Sequence, residues 1–340
     1  MKRPRVSPGI TLFLLSPIIG ELLSGSAPPA EFFNPFGFTV ITLLYGGGAL
    51  VARELKIRWR KGVGSLLLLG TAYGVLEEGL MIASFQNPNH ADLGVLREFG
   101  RWLGVNWVWS VELTMYHAIV SIVIPVLLVE LIYPLRKPEK WLKGRWSLII
   151  PILLVGDVTA GFLLFEQFNS FTPPLPQYLF FSGVCLALIY AAYRLPRDWA
   201  RKGTRKMRRP RYYFFIAFLG AISMGFVFFV LPGQLRFIGA PVLVAIIGAS
   251  LQIGLLKHLA GFRWRDATNL HLHRLLFGSL FPFILFSFIQ EVDQSRLDNT
   301  TGMSVVGTLF LLGLLILGNS IDKAEKKSPD TDTTIEETII

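Results

Sequence analysis

Ten blocks of apolar residues, each roughly 20 residues long, alternate with shorter polar stretches along the 340-residue chain. A helix of about 20 apolar residues crosses the hydrocarbon core of a bilayer, which is roughly 30 Å thick. Only helices and closed barrels satisfy their backbone hydrogen bonds inside lipid, and blocks of this length are helical. The pattern therefore predicts an all-α protein, a single polytopic transmembrane bundle of about ten helices over residues 1–321. The predicted helices cover residues 9–25, 35–52, 62–85, 105–133, 146–165, 175–193, 212–231, 237–256, 275–290 and 302–320.

The two ends of the chain differ from the central blocks. Residues 322–340 are mostly polar, and we predict a disordered cytoplasmic tail there. The first block is short and contains Pro17 and Glu21, so a full helix, a re-entrant or half-length segment and a signal peptide are all open interpretations. Pro28 directly follows the best small-residue cleavage site and disfavours cleavage there. We therefore expect residues 1–27 to remain in the mature protein.

Basic residues alternate from loop to loop. Of the 33 Lys and Arg residues, 29 lie in the N-terminus, in every second loop and in the C-terminus, and four lie in the other five loops. Because loops rich in Lys and Arg stay in the cytoplasm, this alternation predicts an even helix count with both termini cytoplasmic, in a multi-pass protein of the cell membrane. It also accounts for the net charge of +10 without a nucleic-acid partner. The basic loop between Arg194 and Arg211 is expected to lie on the anionic lipid headgroups of the cytoplasmic face.

Reporter fusions test this topology directly. Fusions at Lys61, Lys143, Lys202 and Lys326 are all expected to report a cytoplasmic location, because each position belongs to the basic set of loops. A signal from the opposite side of the membrane at any one of the four positions would contradict the ten-helix topology.

Acidic residues inside the apolar blocks are the candidates for chemistry, because a charge at mid-helix costs roughly 2.5–3.5 kcal/mol and usually faces the bundle interior. The acids in question are Glu21, Glu77, Glu78, Glu112, Glu130 and Asp157. Glu130 lies near the inner end of helix four and is expected to reach water. In the predicted orientation the other five lie between the midplane and the outer surface, at the level of His117. We therefore predict one outward-opening polar cavity between helices one, three, four and five. Its substrate- or ion-binding residues would be Glu21, Glu78, Glu112, His117 and Asp157.

Small and polar residues on helices three and four support this cavity. Ser110, Thr114, His117 and Ser121 follow one another at spacings of 4, 3 and 4, so they share a helix face. Helix three carries glycines that allow a neighbouring helix to approach closely. These glycines are Gly70, Gly74 and Gly79.

The remaining histidines and the cysteine predict no second site. His90, His258, His271 and His273 are assigned to loops. Cys185 is the one cysteine of the chain, which excludes an intramolecular disulfide and a metal site built on several thiolates.

The paired glutamates Glu77 and Glu78, followed by His117 in the next helix, resemble the CPBP family of CaaX prenyl proteases and bacteriocin-processing membrane proteins. That family carries EExxxR, FxxxH and HxxxN/D motifs on successive membrane helices. The resemblance covers about residues 62–165. Here Ile82 stands at the arginine position, Leu113 at the phenylalanine position, and Gly156-Asp157 where the third motif has its histidine. The resemblance implies peptide hydrolysis with Glu77, Glu78 and His117 as catalytic residues.

Three functions are compatible with these patterns. The leading interpretation is a transporter or permeation protein, because protonatable carboxylates beside a histidine suit a proton-coupled or cation site. A divergent CPBP-like intramembrane hydrolase and a structural membrane protein with no catalytic site are the alternatives. The sequence identifies no cofactor, no metal and no protein partner.

Overall fold

The computed structural model describes residues 6–169, 171–197 and 203–327. Long helices account for most of these residues. In chain order they are α1 (Pro8–Leu22), α2 (Pro35–Arg58), α3 (Val63–Met81), α4 (Trp107–Ile132), α5 (Trp146–Asn169), α6 (Leu175–Arg194), α7 (Pro210–Gln234), α8 (Ala240–Ala260), α9 (Asn269–Val292) and α10 (Met303–Lys327).

The predicted fold class is confirmed. Within the described ranges, nine helices are long and apolar enough to cross a membrane, and α1 is a shorter apolar helix. The ten predicted blocks correspond to these ten helices, with bounds that differ by several residues. The predicted tail was wrong at its start, because α10 continues through residues 322–327. Residues 1–5, Lys202 and residues 328–340 lie outside the described residues, and the cytoplasmic orientation of the termini stays a prediction.

Helices α3 and α4 form the centre of the bundle. About 72% of the apolar window of α3 and 78% of that of α4 are buried by protein, against 17% or less for α5 to α8. The two central helices touch through glycine. A Cβ atom on Gly70 would lie 2.8 Å from both the Cα and the carbonyl oxygen of Ala118, so no larger residue fits without moving the helices apart. This close approach brings the polar residues of the two helices together.

A structured loop joins α3 to α4 and fixes where α4 begins. Strands β1 (Arg101–Trp102) and β2 (Val105–Asn106) form a short antiparallel hairpin in this loop. Asn106 caps α4, since its side-chain oxygen accepts from the Trp109 amide at 3.0 Å and its Nδ2 donates to the Leu96 carbonyl at 2.6 Å. The loop therefore orients the first turns of α4 relative to the end of α3.

The prediction that Glu130 reaches water was wrong. Only 1% of Glu130 is exposed, and its carboxylate accepts from Lys56 Nζ at 3.0 and 3.2 Å and lies 3.7 Å from Arg53 Nε. Arg53 also lies 3.1 Å from Glu54 and stacks on the ring of Trp141. Arg53, Glu54, Lys56 and Glu130 are called the inner charge network below. Helix α2 extends beyond its predicted end at residue 52 because these charges neutralise one another and can be buried.

The prediction that His258, His271 and His273 lie in loops was also wrong. His258 belongs to the last turn of α8, and the other two belong to the first turns of α9. His271 accepts a hydrogen bond from the Thr268 amide and completes a capping box. His273 is fully buried, and its Nε2 lies 2.9 Å from the Leu314 carbonyl of α10. His117 is therefore not the one histidine within the helices.

Candidate functional site

Two adjacent glutamates of α3 meet one histidine of α4 in the centre of the bundle. His117 Nε2 lies 3.1 Å from Glu78 Oε1, and His117 Nδ1 lies 3.3 Å from Glu77 Oε2. All three residues are buried. They are called the Glu–His cluster below. Both ring nitrogens of the histidine therefore face a carboxylate.

Local helix geometry explains why neighbouring glutamates reach the same histidine. In an α-helix, successive side chains point about 100° apart, since a turn holds 3.6 residues. Residues Val75–Met81 instead form a π-helix, and His117 begins a second π-helical segment, His117–Val123. A π-helix closes its hydrogen bonds one residue later than an α-helix, so its wider turn reduces the angle between Glu77 and Glu78.

Four π-helical segments meet at this point of the bundle. Glu21 lies in the segment Ile18–Leu22 of α1, and Tyr45 lies in the segment Thr42–Gly46 of α2. The other two segments carry the Glu–His cluster. In the described part of the chain a fifth π-helical segment occurs in α7, away from these residues. Because π-helical turns are rare and concentrate at functional sites, four of them around one group of ionisable residues indicate a functional site.

Three tyrosine rings surround His117. The ring centroids of Tyr45, Tyr73 and Tyr116 lie 5.9, 6.0 and 5.2 Å from that of the histidine. The Tyr45 hydroxyl donates to Glu21 and also lies beside Glu77, so it connects α1 to the cluster. The Tyr73 hydroxyl is buried without a hydrogen-bond partner of good geometry in the described part of the chain. The aromatic walls exclude bulk water, while two hydroxyl groups remain at the carboxylates.

Further hydrogen bonds hold Glu78 and His117 in place. Ser84, just beyond the end of α3, donates to Glu78 Oε2, and the indole nitrogen of Trp109 lies 3.1 Å from the Ser84 oxygen. On the other side, the Ser121 hydroxyl lies 3.0 Å from His117 Nδ1, as the polar stripe on α4 predicted for residues four apart. The loop between α3 and α4 thus positions Glu78, and the turn of α4 that follows His117 positions the histidine.

The charges at this site are not balanced by basic residues. Glu21, Glu77 and Glu78 supply three carboxyl groups, and His117 can carry at most one positive charge. No Lys or Arg of the described ranges lies within ion-pairing distance of the three carboxylates. The inner charge network differs in this respect, because Lys56 and Arg53 there neutralise Glu130. Since unpaired buried charges are strongly unfavourable, this site must take up protons or another cation.

The same three residues could hold a metal ion. One ligand atom from each of Glu77, Glu78 and His117 lies within 4.8 Å of the other two. Carboxylate oxygens and an imidazole nitrogen are ligands for Zn²⁺ and for other divalent transition metals. Three protein ligands leave a coordination position open for water or substrate. The donor set therefore fits a divalent cation as well as a proton.

The structure does not bring two of the predicted site residues into this group. Glu112 and Asp157 are both mostly buried, and each has one carboxylate oxygen without a hydrogen-bond partner in the described ranges. Neither makes a hydrogen bond or an ion pair with the Glu–His cluster. Helix α5 was expected to contribute to the cluster, but Asp157 makes no such contact, although it lies on the face of α5 where Leu154 meets Gly47 of α2 and Gly161 meets Met81 of α3.

Helix α2 was not among the helices predicted to form the cavity, but it contributes Tyr45 to the site. A tyrosine in an apolar block carries no charge, so the pattern of charged residues did not point to Tyr45. Its local signal was the run Gly46-Gly47-Gly48 directly after it, which permits close packing at this level. A Cβ atom on Gly48 would lie 2.3 Å from the Tyr73 ring, and one on Gly46 would lie 2.2 Å from the Phe13 carbonyl oxygen.

A helical bundle of this kind, with a buried Glu–His group at its centre, defines a multi-pass integral membrane protein. The family whose model matches residues 10–334 is described as an uncharacterized membrane protein family. The match covers most of the chain, and the protein belongs to this family. Neither a curated protein nor a solved structure matches the chain. The resemblance to the CPBP family is without support from these comparisons.

Proposed function

We propose that the protein is a proton-coupled cation transporter or permeation protein, and that the Glu–His cluster is its cation site. The observation that carries this proposal is the excess of buried carboxylates over basic groups around His117. A site with this excess binds a proton or a metal ion in place of the missing positive charge. Because ligands must lose their protons before they bind a metal, the two kinds of cation compete for the same residues.

The broken helices support transport. In many transporters, ions bind where membrane helices are interrupted, because the interruptions free polar groups at the middle of the bilayer. Glu21, Tyr45, Glu77, Glu78 and His117 all lie in π-helical interruptions. A helix that contains a π-turn can return to α-helical hydrogen bonding by shifting one residue. This shift offers a route by which the site changes between states.

A CPBP-like intramembrane hydrolase is the second candidate. The observation in its favour is the closeness of Glu77, Glu78 and His117, whose ligand atoms lie within 4.8 Å of one another. The resemblance implies that a glutamate of this pair acts as general base, with His117 stabilising charge or holding a metal. Ile82 replaces the arginine of the first motif, and Gly156-Asp157 stands where the third motif has its histidine. A hydrolase of this kind would therefore lack two of the polar side chains that the family's motifs carry.

Proton flux in proteoliposomes tests the leading proposal. The purified protein is reconstituted with a pH-sensitive dye inside, and Zn²⁺, Mn²⁺ or Na⁺ is added outside. We expect at least one cation to drive proton movement in the wild type, and Glu78→Gln and His117→Ala to reduce it at least about tenfold, since each removes a ligand. Glu139→Gln is the matched control, because it removes an exposed carboxylate that pairs with Arg136 and Lys143 in the loop after α4 and does not contact the cluster.

Each alternative predicts a different result. No cation-driven flux, together with cleavage of a membrane-inserted peptide that depends on Glu78, would favour the hydrolase. A purely structural role predicts that neither flux nor cleavage is observed. It also predicts that Glu78→Gln lowers thermal stability by as much as the loss of one partner of a buried ion pair does.

A further inference from the structure

A groove lies between the first turns of α7, the first half of α9 and the middle of α10. Its volume is about 660 Å³, within the range of about 300–1,000 Å³ that small-molecule sites occupy. The apolar wall is largely aromatic: the ring of Phe214 packs on those of Phe277 and Phe281 at centroid distances of 5.3 and 5.5 Å. Leu311 and Leu315 close the α10 side. The groove therefore offers an apolar surface suited to a hydrocarbon chain.

Three arginines line the mouth of this groove. Arg209 directly precedes α7, Arg211 belongs to its first turn, and Arg274 lies in the second turn of α9. In the described ranges none of the three has a carboxylate within ion-pairing distance. The nearby Glu325 carboxylate of α10 accepts instead from the Leu270 amide at 3.0 Å.

Some other arginines of the bundle are paired with acids, and some, such as Arg145 and Arg205, have no carboxylate within ion-pairing distance in the described ranges. Arg53 contacts Glu54 and Glu130, Arg263 contacts Asp266, and Arg296 contacts Asp298. Arg209, Arg211 and Arg274 differ from these in that all three line the same apolar groove. Their shared position at the end of an apolar groove favours a ligand with a negative head and an apolar tail.

We propose that this groove, called the inner groove below, binds one anionic phospholipid, with its phosphate on Arg209, Arg211 and Arg274 and an acyl chain along the aromatic wall. The predicted topology places the groove at the cytoplasmic leaflet, where anionic lipids concentrate and basic pockets between helices bind their headgroups. The apolar wall distinguishes this ligand from free phosphate, which would leave the phenylalanine rings without a partner. The site does not involve the Glu–His cluster and does not depend on the proposed transport.

Native mass spectrometry with defined lipids tests the site. The detergent-solubilised protein is mixed with equal amounts of phosphatidylglycerol and phosphatidylcholine, and bound lipid is counted by mass. We expect one retained phosphatidylglycerol in preference to phosphatidylcholine, and the triple variant Arg209→Ala/Arg211→Ala/Arg274→Ala to bind it at least about tenfold more weakly. Leu311→Trp is expected to weaken binding as well, because the indole fills the apolar part and leaves the arginines in place.

The control removes the same charge elsewhere. The variant Lys140→Ala/Lys143→Ala/Lys323→Ala loses three exposed basic residues outside the inner groove and is expected to keep the bound lipid. The proposal is overturned by equal retention of phosphatidylcholine, or by equal loss in the two triple variants, which would mean general charge attraction. Unchanged binding in Leu311→Trp, or complete displacement by inorganic phosphate alone, would likewise exclude a site that holds the acyl chain.

Discussion

Glu130→Gln is expected to lower the free energy of unfolding by about 3–5 kcal/mol, the cost of removing one partner of a buried ion pair. The Glu130 carboxylate is the close acceptor for Lys56 Nζ, at 3.0 Å, and both side chains are almost completely buried. With glutamine at this position the ammonium group remains in the bundle without a negative partner. Equilibrium unfolding in mixed detergent micelles, compared with the wild type, measures the change.

Two further variants separate charge pairing from packing. Glu139→Gln removes an exposed carboxylate of the following loop and is expected to change stability by less than about 1 kcal/mol. Lys56→Met/Glu130→Gln removes both charges and is expected to recover much of the loss, because no unpaired ion is left inside the bundle. A single Glu130→Gln variant as stable as the wild type would show that water reaches Lys56 and that the inner charge network is not sealed.

Gly70→Val is expected to abolish the cation-driven proton flux, with a stability loss of about 1–3 kcal/mol from overpacking. A Cβ atom at this position would lie 2.8 Å from the backbone of Ala118, which cannot move aside as a flexible side chain can. Helices α3 and α4 must therefore separate, and Glu78 must move away from His117, which it contacts at 3.1 Å. The measurements are the proteoliposome flux assay and thermal unfolding of the same preparation.

Gly183→Val is the matched control for this substitution. It places the same β-branched side chain in α6, where a Cβ atom would meet no neighbouring atom within 4 Å. Both variants therefore carry the same change in helix propensity from glycine to valine. Only Gly70→Val is expected to push α3 and α4 apart. Equal flux in the two variants would contradict the dependence of the cation site on the close contact of α3 with α4.

Two groups of buried charges in the bundle follow different rules. In the inner charge network every acid faces a Lys or Arg side chain, and the group links the end of α2 to α4 and the loop after it. At the Glu–His cluster the carboxylates outnumber the basic groups, and the helices that carry them leave α-helical geometry. The first arrangement is typical of structural pairing, and the second is typical of a site that exchanges cations. Both groups are buried, so the balance of charges, and not burial, distinguishes them.

The sequence alone determined the class of fold and the number and order of its helices. Lipid offers no partner for backbone groups, so each crossing segment must be a helix of sufficient apolar length, and this requirement is visible in any window of the chain. The same reasoning identified Glu77, Glu78 and His117, because an ionisable residue in an apolar block is conspicuous without knowledge of its neighbours.

Only the tertiary structure decided which of these residues meet. Glu112 and Asp157 are buried but form no hydrogen bond or ion pair with the cluster in the described ranges, whereas Tyr45 of α2 reaches the cluster and Glu130 pairs with Lys56. Depth along a helix is a local property, because it follows from the position of a residue within its block. The direction in which a side chain points from its helix depends on packing between segments that are far apart in sequence. The same holds for the π-turn that brings Glu77 and Glu78 toward one histidine. No local pattern of residues encodes either property.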